Sequence, residues 1–259
     1  MTENIKLVIN PYIDKKIPKL LFIVPYRDRE QQKHFFNRQM NYVLEDYGKE
    51  NYEIFFAHQC DERDFNRGAM KNLGFIAMKE KYADNYNDIT FVFNDVDTMP
   101  YTKNFLNYET THGNIKHFYG FNYTLGGIVS IKGSDFEKVN GFPNFWAWGY
   151  EDNMFQDRVL KNGLKIDRNQ FYPLMDKNIL QNKDGLERIV NRKEYDRFIG
   201  NTTDGIQTIT DIVYEIHDTN INITNFKTQV ENDKTKNTKH DLRNKTHKFG
   251  RVPRMNMIL

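Results

Sequence analysis

Two carboxylate pairs in this 259-residue chain have the composition of a reactive site. The first closes the stretch FVFNDVDTMP, residues 91–100, where a short run of buried-strand type, Phe91 to Asn94, passes straight into Asp95 and Asp97 with Val96 between them. Hard oxygen ligands so placed suit a divalent ion, and an ion bridging them to a nucleoside diphosphate would neutralise charge on both. The simpler alternative is that Asp95 caps a turn and Asp97 faces water. The second pair, Glu151 and Asp152, ends GFPNFWAWGYEDN, behind Trp146 and Trp148, the only two tryptophans. Tryptophan faces stack on sugar rings and carboxylates take sugar hydroxyls as donors, so this composition suits a saccharide site.

Three further clusters could serve the same chemistry. In VPYRDR, residues 24–29, a strand ends near Pro25 and Tyr26, and Arg27 and Arg29 follow where guanidinium forks could meet phosphate oxygens or simply form a solvated turn. In FNRG, Phe65 could enclose a base and Arg67 reach a nucleotide, or Asn66 could merely cap a helix. Gly126-Gly127 permits close backbone approach to a ligand, and equally a tight turn. The histidines His34, His58, His112, His117 and His217 show no zinc-like spacing and read as structural or solvated. Cys60, the only cysteine, lacks a basic setting and agrees with a reducing compartment.

The elements that must position these residues alternate. Lys19 to Pro25 reads as a buried strand, Glu30 to Leu44 as a helix, Tyr52 to Ala57 as a strand, Arg67 to Tyr82 as a helix, and Phe91 to Asn94 as a third strand. Parallel neighbours need crossover connections, so the pattern predicts a parallel sheet covered by helices, with ligands at the carboxyl ends of its strands. Later, Gly127 to Ile131 and Ile206 to Ile216 read as strands, and Ser134 to Val139 and Glu151 to Lys161 as helices.

A hydrophobic content of 39% allows a sizeable core, while a mean hydropathy of −0.77 comes with no apolar run long enough to span a bilayer. No secretion signal opens the sequence, and a cytoplasmic location is expected. The net charge of +2 is uneven: from residue 231 onward eight Lys/Arg face three acids, so this segment carries +5 and the rest −3. It reads as a solvated or disordered tail, the alternative being a patch drawn to anionic surfaces. The expected organisation is an N-terminal extension over 1–18, one α/β domain over 19–230 and a basic tail over 231–259, with no nucleic-acid partner.

The chain resembles the β-1,4-galactosyltransferase family, glycosyltransferase family 7. Five ordered blocks carry the likeness: VPYRDR (24–29), FNRGAMKNLGF (65–75), FVFNDVDTMP (91–100), LGGIVSIKGSDFEKVNGFPN (125–144) and FWAWGYEDN (145–153); DGIQTI (204–209) is a weaker sixth. The resemblance implies a GT-A type fold, a mixed and mainly parallel Rossmann-like sheet flanked by helices. It implies an inverting transfer of galactose from a UDP-sugar donor to a hydroxyl of a saccharide or glycoconjugate acceptor, forming a β-1,4 linkage. It also assigns Asp152 as general base with Glu151 beside it on the sugar. Pro25, Tyr26, Arg27, Arg29, Phe65, Arg67, Asp95, Val96, Thr124, Gly126, Gly127, Trp146 and Trp148 would line the donor and acceptor sites, with Trp146 on a loop that closes over the donor. A manganese ion or other divalent cation would sit on Asp97, with Asp95 and Met175 beside it.

Departures from the family pattern qualify these roles. The family's metal-binding histidine has no counterpart in FYPLMDKNIL, residues 171–180, so Asp176 or Asn178 would supply oxygen instead, or Lys177 would supply positive charge. The family's aromatic residue two positions before Gly-Gly is Thr124 here, which leaves room for an N-acetyl group, so N-acetylgalactosamine is an expected donor alongside galactose. The competing reading is a UDP-sugar or carbohydrate-binding protein that keeps the fold and lacks turnover.

Overall fold

The computed structural model describes residues 16–241 apart from 184, 186 and 200–202. In chain order the elements are β1 (Leu20–Tyr26), α1 (Glu30–Val43), β2 (Tyr52–Gln59), α2 (Arg67–Lys81), β3 (Thr90–Asn94), β4 (Thr98–Pro100), β5 (Asn114–Gly120), β6 (Ile128–Lys132), α3 (Gly133–Lys138) and α4 (Glu151–Lys161). Then follow β7 (Lys165–Asp167), β8 (Tyr172–Pro173), β9 (Ile179–Gln181), β10 (Glu187–Val190), α5 (Arg192–Phe198), β11 (Thr210–His217), β12 (Asn220–Lys227) and β13 (Thr238–Asp241).

The main sheet runs β11-β12-β2-β1-β3-β6-β5-β7, with β8 also on β5. β1 is buried throughout because helices cover both of its faces, and its side chains alternate between two cores. Leu21 and Ile23 join Leu73, Met70 and Phe93 on one side; Leu20, Phe22 and Val24 join Phe36 and Met40 of α1 on the other. β2, β1 and β3 pair in parallel as the alternating pattern predicts. β6 then enters antiparallel to β3, and β5 antiparallel to β6, which makes the sheet mixed.

The order β2-β1-β3 is decisive for function. The chain leaves β1 toward one side and later returns on its other side, so the carboxyl ends of β1 and β3 border a crevice. Arg27 and Arg29 follow β1, and Asp95 and Asp97 follow β3. Both clusters therefore reach one place.

Several sequence expectations change. Ile206 to Thr208 is a single 3-10 turn, and the strand starts at Thr210, because Asp204 binds this segment back onto Asn144. β12 was not foreseen: it pairs in parallel with β2 and extends the sheet beyond residue 216. The boundary at 231 also shifts, since β13 pairs with β10 and Lys234 reaches Asp64 at 3.1 Å, so the segment up to Asp241 belongs to the body. The rest of the tail and most of the N-terminal extension lie outside the described residues. Among the described residues no helix is long and apolar enough to cross a membrane.

Candidate active site

Arg67 is the hub. It is the first residue of α2, whose N-cap Asn66 accepts the Ala69 N–H at 2.8 Å, and this aims the guanidinium outward past the end of β3. Its Nη2 meets both Asp95 oxygens at 2.8 Å, while Nη1 reaches Glu151 Oε1 and lies 3.1 Å from Asp152 Oδ2. A five-donor planar fork suits such shared service. The two carboxylate pairs singled out by composition are thus joined through one arginine.

The Asp95-Val96-Asp97 turn is built by Asn94, whose amide donates to the carbonyls of Asp95 and Thr98 at 2.8 and 2.7 Å. The Val96 side chain is buried in the core cluster with Phe22 and Met99. Asp97 accepts from the Thr98 hydroxyl at 2.9 Å and from Arg29 Nη1 at 3.3 Å across the crevice. Burial, then the neighbouring Asp95 charge, pushes its carboxyl above the usual range.

Glu151 and Asp152 open α4, entered through Tyr150 at a left-handed φ of 67°. Burial pushes the Glu151 carboxyl up, and its Oε2 is buried with no hydrogen-bond partner. Burial works against Asp152 as well, but Arg67 and Lys71 beside it outweigh burial and hold its carboxyl below the usual range. Lys71, which sequence reasoning passed over, is almost fully buried with Nζ 3.2 Å from Asp152 Oδ1. Its spacing of four from Arg67 was the available signal.

The Gly-Gly segment lies against this acid. Gly127, at a φ of +69°, accepts the Asp95 N–H on its carbonyl oxygen at 3.0 Å, and Leu125 N–H donates to the Asp152 carbonyl at 3.0 Å. Thr124 is buried, and its carbonyl accepts from Arg168 at 3.3 Å. Arg168 also donates to His117 Nδ1 at 3.1 Å, and His117 Nε2 faces the carbonyls of Tyr119 and Gly126. Burial, then Arg168, lowers His117 to about 4, so it is a neutral structural bracket, as its reading as a structural histidine requires.

Other expected residues are dispersed. Pro25 and Tyr26 are buried in β1, with Tyr26 tilted on His58 at 5.0 Å. Arg27 donates to the Arg63 carbonyl. Phe65 is half-buried against the core. Trp146 is a core side chain in this structure: its Nε1–H donates to Val230 O at 2.7 Å and its ring stacks on Phe226 at 5.6 Å. Trp148 is the exposed member of the pair. Glu194, also unforeseen, accepts the Trp146 and Ala147 N–H groups at 2.7 and 3.1 Å.

The metal expectation needs one revision. Both Asp95 oxygens are held at 2.8 Å by one guanidinium, whereas Asp97 meets Arg29 at a longer 3.3 Å, so Asp97 is the carboxylate less tightly held and more open to a cation. Met175 is brought near by its own N–H, which donates at 3.2 Å to Tyr119 O–H, a phenol raised by burial and by the charges of Asp97 and Asp176. Asp176 Oδ1 closes a turn onto Asn178 N–H at 2.8 Å. Among the described residues no three His, Cys, Asp or Glu side chains form a closed metal nest. The Asp97 carboxylate suits a hard divalent cation, while the exposed Met175 thioether is a soft and weaker partner, so a cation held there would depend on further oxygen ligands.

The fold and crevice define a GT-A type protein. The catalytic domain of Drosophila beta1,4galactosyltransferase 7, solved in complex with xylobiose, superposes with a TM-score of 0.60 at 23% identity, over 80% of this chain and 94% of that one. A variant of the same Drosophila protein, solved with manganese, UDP-Gal and xylobiose, matches equally well. Two family sequence models match end to end: the N-terminal region of glycosyl transferase group 7 over residues 10–109, and the N-terminal domain of galactosyltransferase over 110–179. The chain belongs to the group 7 β-1,4-galactosyltransferase family. It is 31% identical to human Beta-1,4-galactosyltransferase 4 over 170 residues, which are 60% of this chain and 46% of that protein. The Xylosylprotein 4-beta-galactosyltransferase of Caenorhabditis elegans is 31% identical over 164 residues, 58% of this chain and 53% of that one. The chain spans about half the length of the curated relatives it matches.

Proposed function

We propose that the protein is an inverting glycosyltransferase that moves galactose from UDP-galactose to a saccharide hydroxyl in a β-1,4 linkage. One observation carries this reading: Arg67 ties the Asp95 turn at the end of β3 to Glu151 and Asp152 at the start of α4, so the edge that would face a diphosphate and the acid pair that would face a sugar meet at one guanidinium. Manganese named with UDP-Gal in the Drosophila relative supports a divalent cation here, and Asp97 and Met175 would hold it. Such a cation neutralises charge on the departing diphosphate.

The chain's own groups supply the remainder. Arg29 and Arg27, following β1, would turn their guanidinium forks to the diphosphate oxygens. The ionised Asp152 takes the proton of the acceptor hydroxyl while that oxygen bonds to the anomeric carbon; the bond from that carbon to the diphosphate oxygen breaks, and UDP leaves with the electron pair. Attack opposite the leaving group inverts the centre, with no covalent enzyme intermediate. The unpartnered Glu151 Oε2 is an acceptor suited to a sugar hydroxyl.

The test is transfer from UDP-galactose to an array of glucosamine-type and xylose-type acceptors, read by mass spectrometry. Asp152→Asn should lower turnover at least about a hundredfold while UDP binding persists. UDP binding without any product from the unmodified chain would favour a binding protein instead.

A further inference from the structure

Lys71 has no role in the mechanism just given, yet it is one of the most buried charges in the structure, 2% exposed. It stands one turn after Arg67 on α2, so both side chains leave the same helix face. Its neighbours on the helix, Met70 and Leu73, are core residues, and its ammonium lies 4.1 Å from the centre of the Phe142 ring. An ammonium in such surroundings is costly unless it is paired, and a methionine would fill the volume more cheaply. The pairing it makes is with Asp152, at 3.2 Å.

The division of labour around Asp152 explains the cost. Arg67 is shared among Asp95, Glu151 and Asp152, so one guanidinium serves three carboxylates. Without Lys71 the cluster would carry a surplus of two negative charges in a buried space, and one acid would keep its proton. Glu151 already leans that way. The groups facing Asp152 are Arg67 and Lys71 from α2, Glu151 on its own helix, Asp95 from the end of β3 and the neutral His117 of β5. Lys71 is the cation among them that is not divided between the two acid pairs in its hydrogen bonding.

Resting on the reading of Asp152 as the base, we infer that Lys71 is a positioning residue that holds Asp152 ionised and oriented in the resting site, ready for the acceptor hydroxyl. A cation this close lowers a carboxyl by about one to three pH units. Its removal therefore moves the acid limb of kcat/KM to higher pH.

The experiment compares Lys71→Met and Lys71→Arg across pH in the full chain. Lys71→Met should shift the acid limb upward by about one unit or more, so that its rate deficit is roughly tenfold or greater at low pH and shrinks as pH rises. Lys71→Arg should keep the original limb. A deficit for Lys71→Met that is the same at every pH, or an equal shift in both variants, overturns the inference and leaves the proposed activity standing. Absence of transfer by the unmodified chain counts against the activity, and the pairing is then read from urea unfolding in a cycle with Asp152→Asn. There Lys71→Met should destabilise the chain carrying Asp152 more than the chain carrying Asn, and additive effects overturn the inference. If Lys71→Met alone does not fold, recovery in the double variant supports the pairing and continued failure overturns it.

Discussion

Gly126 and Asp152 touch so closely that a β-carbon on the glycine would stand 2.1 Å from the Asp152 Oδ2 atom. No side chain can occupy that place without moving the acid or the loop. The carboxylate is therefore seated by a bare backbone on one side and by Arg67 and Lys71 on the other.

Gly126→Ala should lower kcat by roughly a hundredfold, since displacing a reacting group by about an ångström costs that much. The measurement is steady-state transfer, with UDP affinity as the check that the donor crevice survives. An alanine variant with unimpaired turnover would show that the close seat is not needed.

Removing divalent cations should silence transfer, and manganese should restore it through Asp97. Asp97→Asn should not be restored at any accessible manganese concentration, because a neutral amide is a poor ligand for a hard cation. Full turnover after exhaustive chelation would instead favour positive charge from Lys177 and the arginines.

The donor pocket should be broad. Thr124 is small and sits two residues before Gly126, so UDP-N-acetylgalactosamine should be used alongside UDP-galactose, and Thr124→Tyr should remove the N-acetylated donor selectively. A panel of UDP-sugars reads both outcomes, and strict exclusion of N-acetylated donors by the unmodified protein counts against the pocket argument.

Glu194 should make the fold pH-dependent. Burial pushes its carboxyl up to about 7 from an ordinary value of 4.5, with the Trp146 and Ala147 N–H groups opposing. Across that window the native state keeps a proton that the unfolded chain releases, so stability is greatest below it and falls as pH rises through it. The loss is at most about 3 kcal/mol. Urea midpoints of the unmodified chain and of Glu194→Gln, taken from pH 4 to 8, should show the slope in the first and its flattening in the second.

Arg29, Arg67, Asp95, Asp97, Glu151 and Asp152 stood out in the sequence because strand ends, a helix start and local composition advertise them, and the structure brings them into linked ion pairs. β1, α2 and β3 were legible because their apolar periods match their burial. β12 was not, since NINITNFK carries no local sign of which sheet edge it will join. Lys71 was not, because a lysine on a helix ordinarily faces water and only the approach of α4 turns its position inward. Glu194 was missed for the same reason: RKEYDRF reads as a solvated helix until the Trp146 loop docks on it.

What the residues alone determined was an alternating α/β chain with acids and arginines at the carboxyl ends of its first and third strands, because periodicity and turn chemistry act over a few positions. Which acid meets which cation was decided by the tertiary structure. Arg67 and Asp152 stand 85 residues apart in the chain, and their ion pair exists because β1 and β3 are neighbours and α4 packs across their ends. Charge interactions depend on distance and burial, and neither quantity is local in sequence.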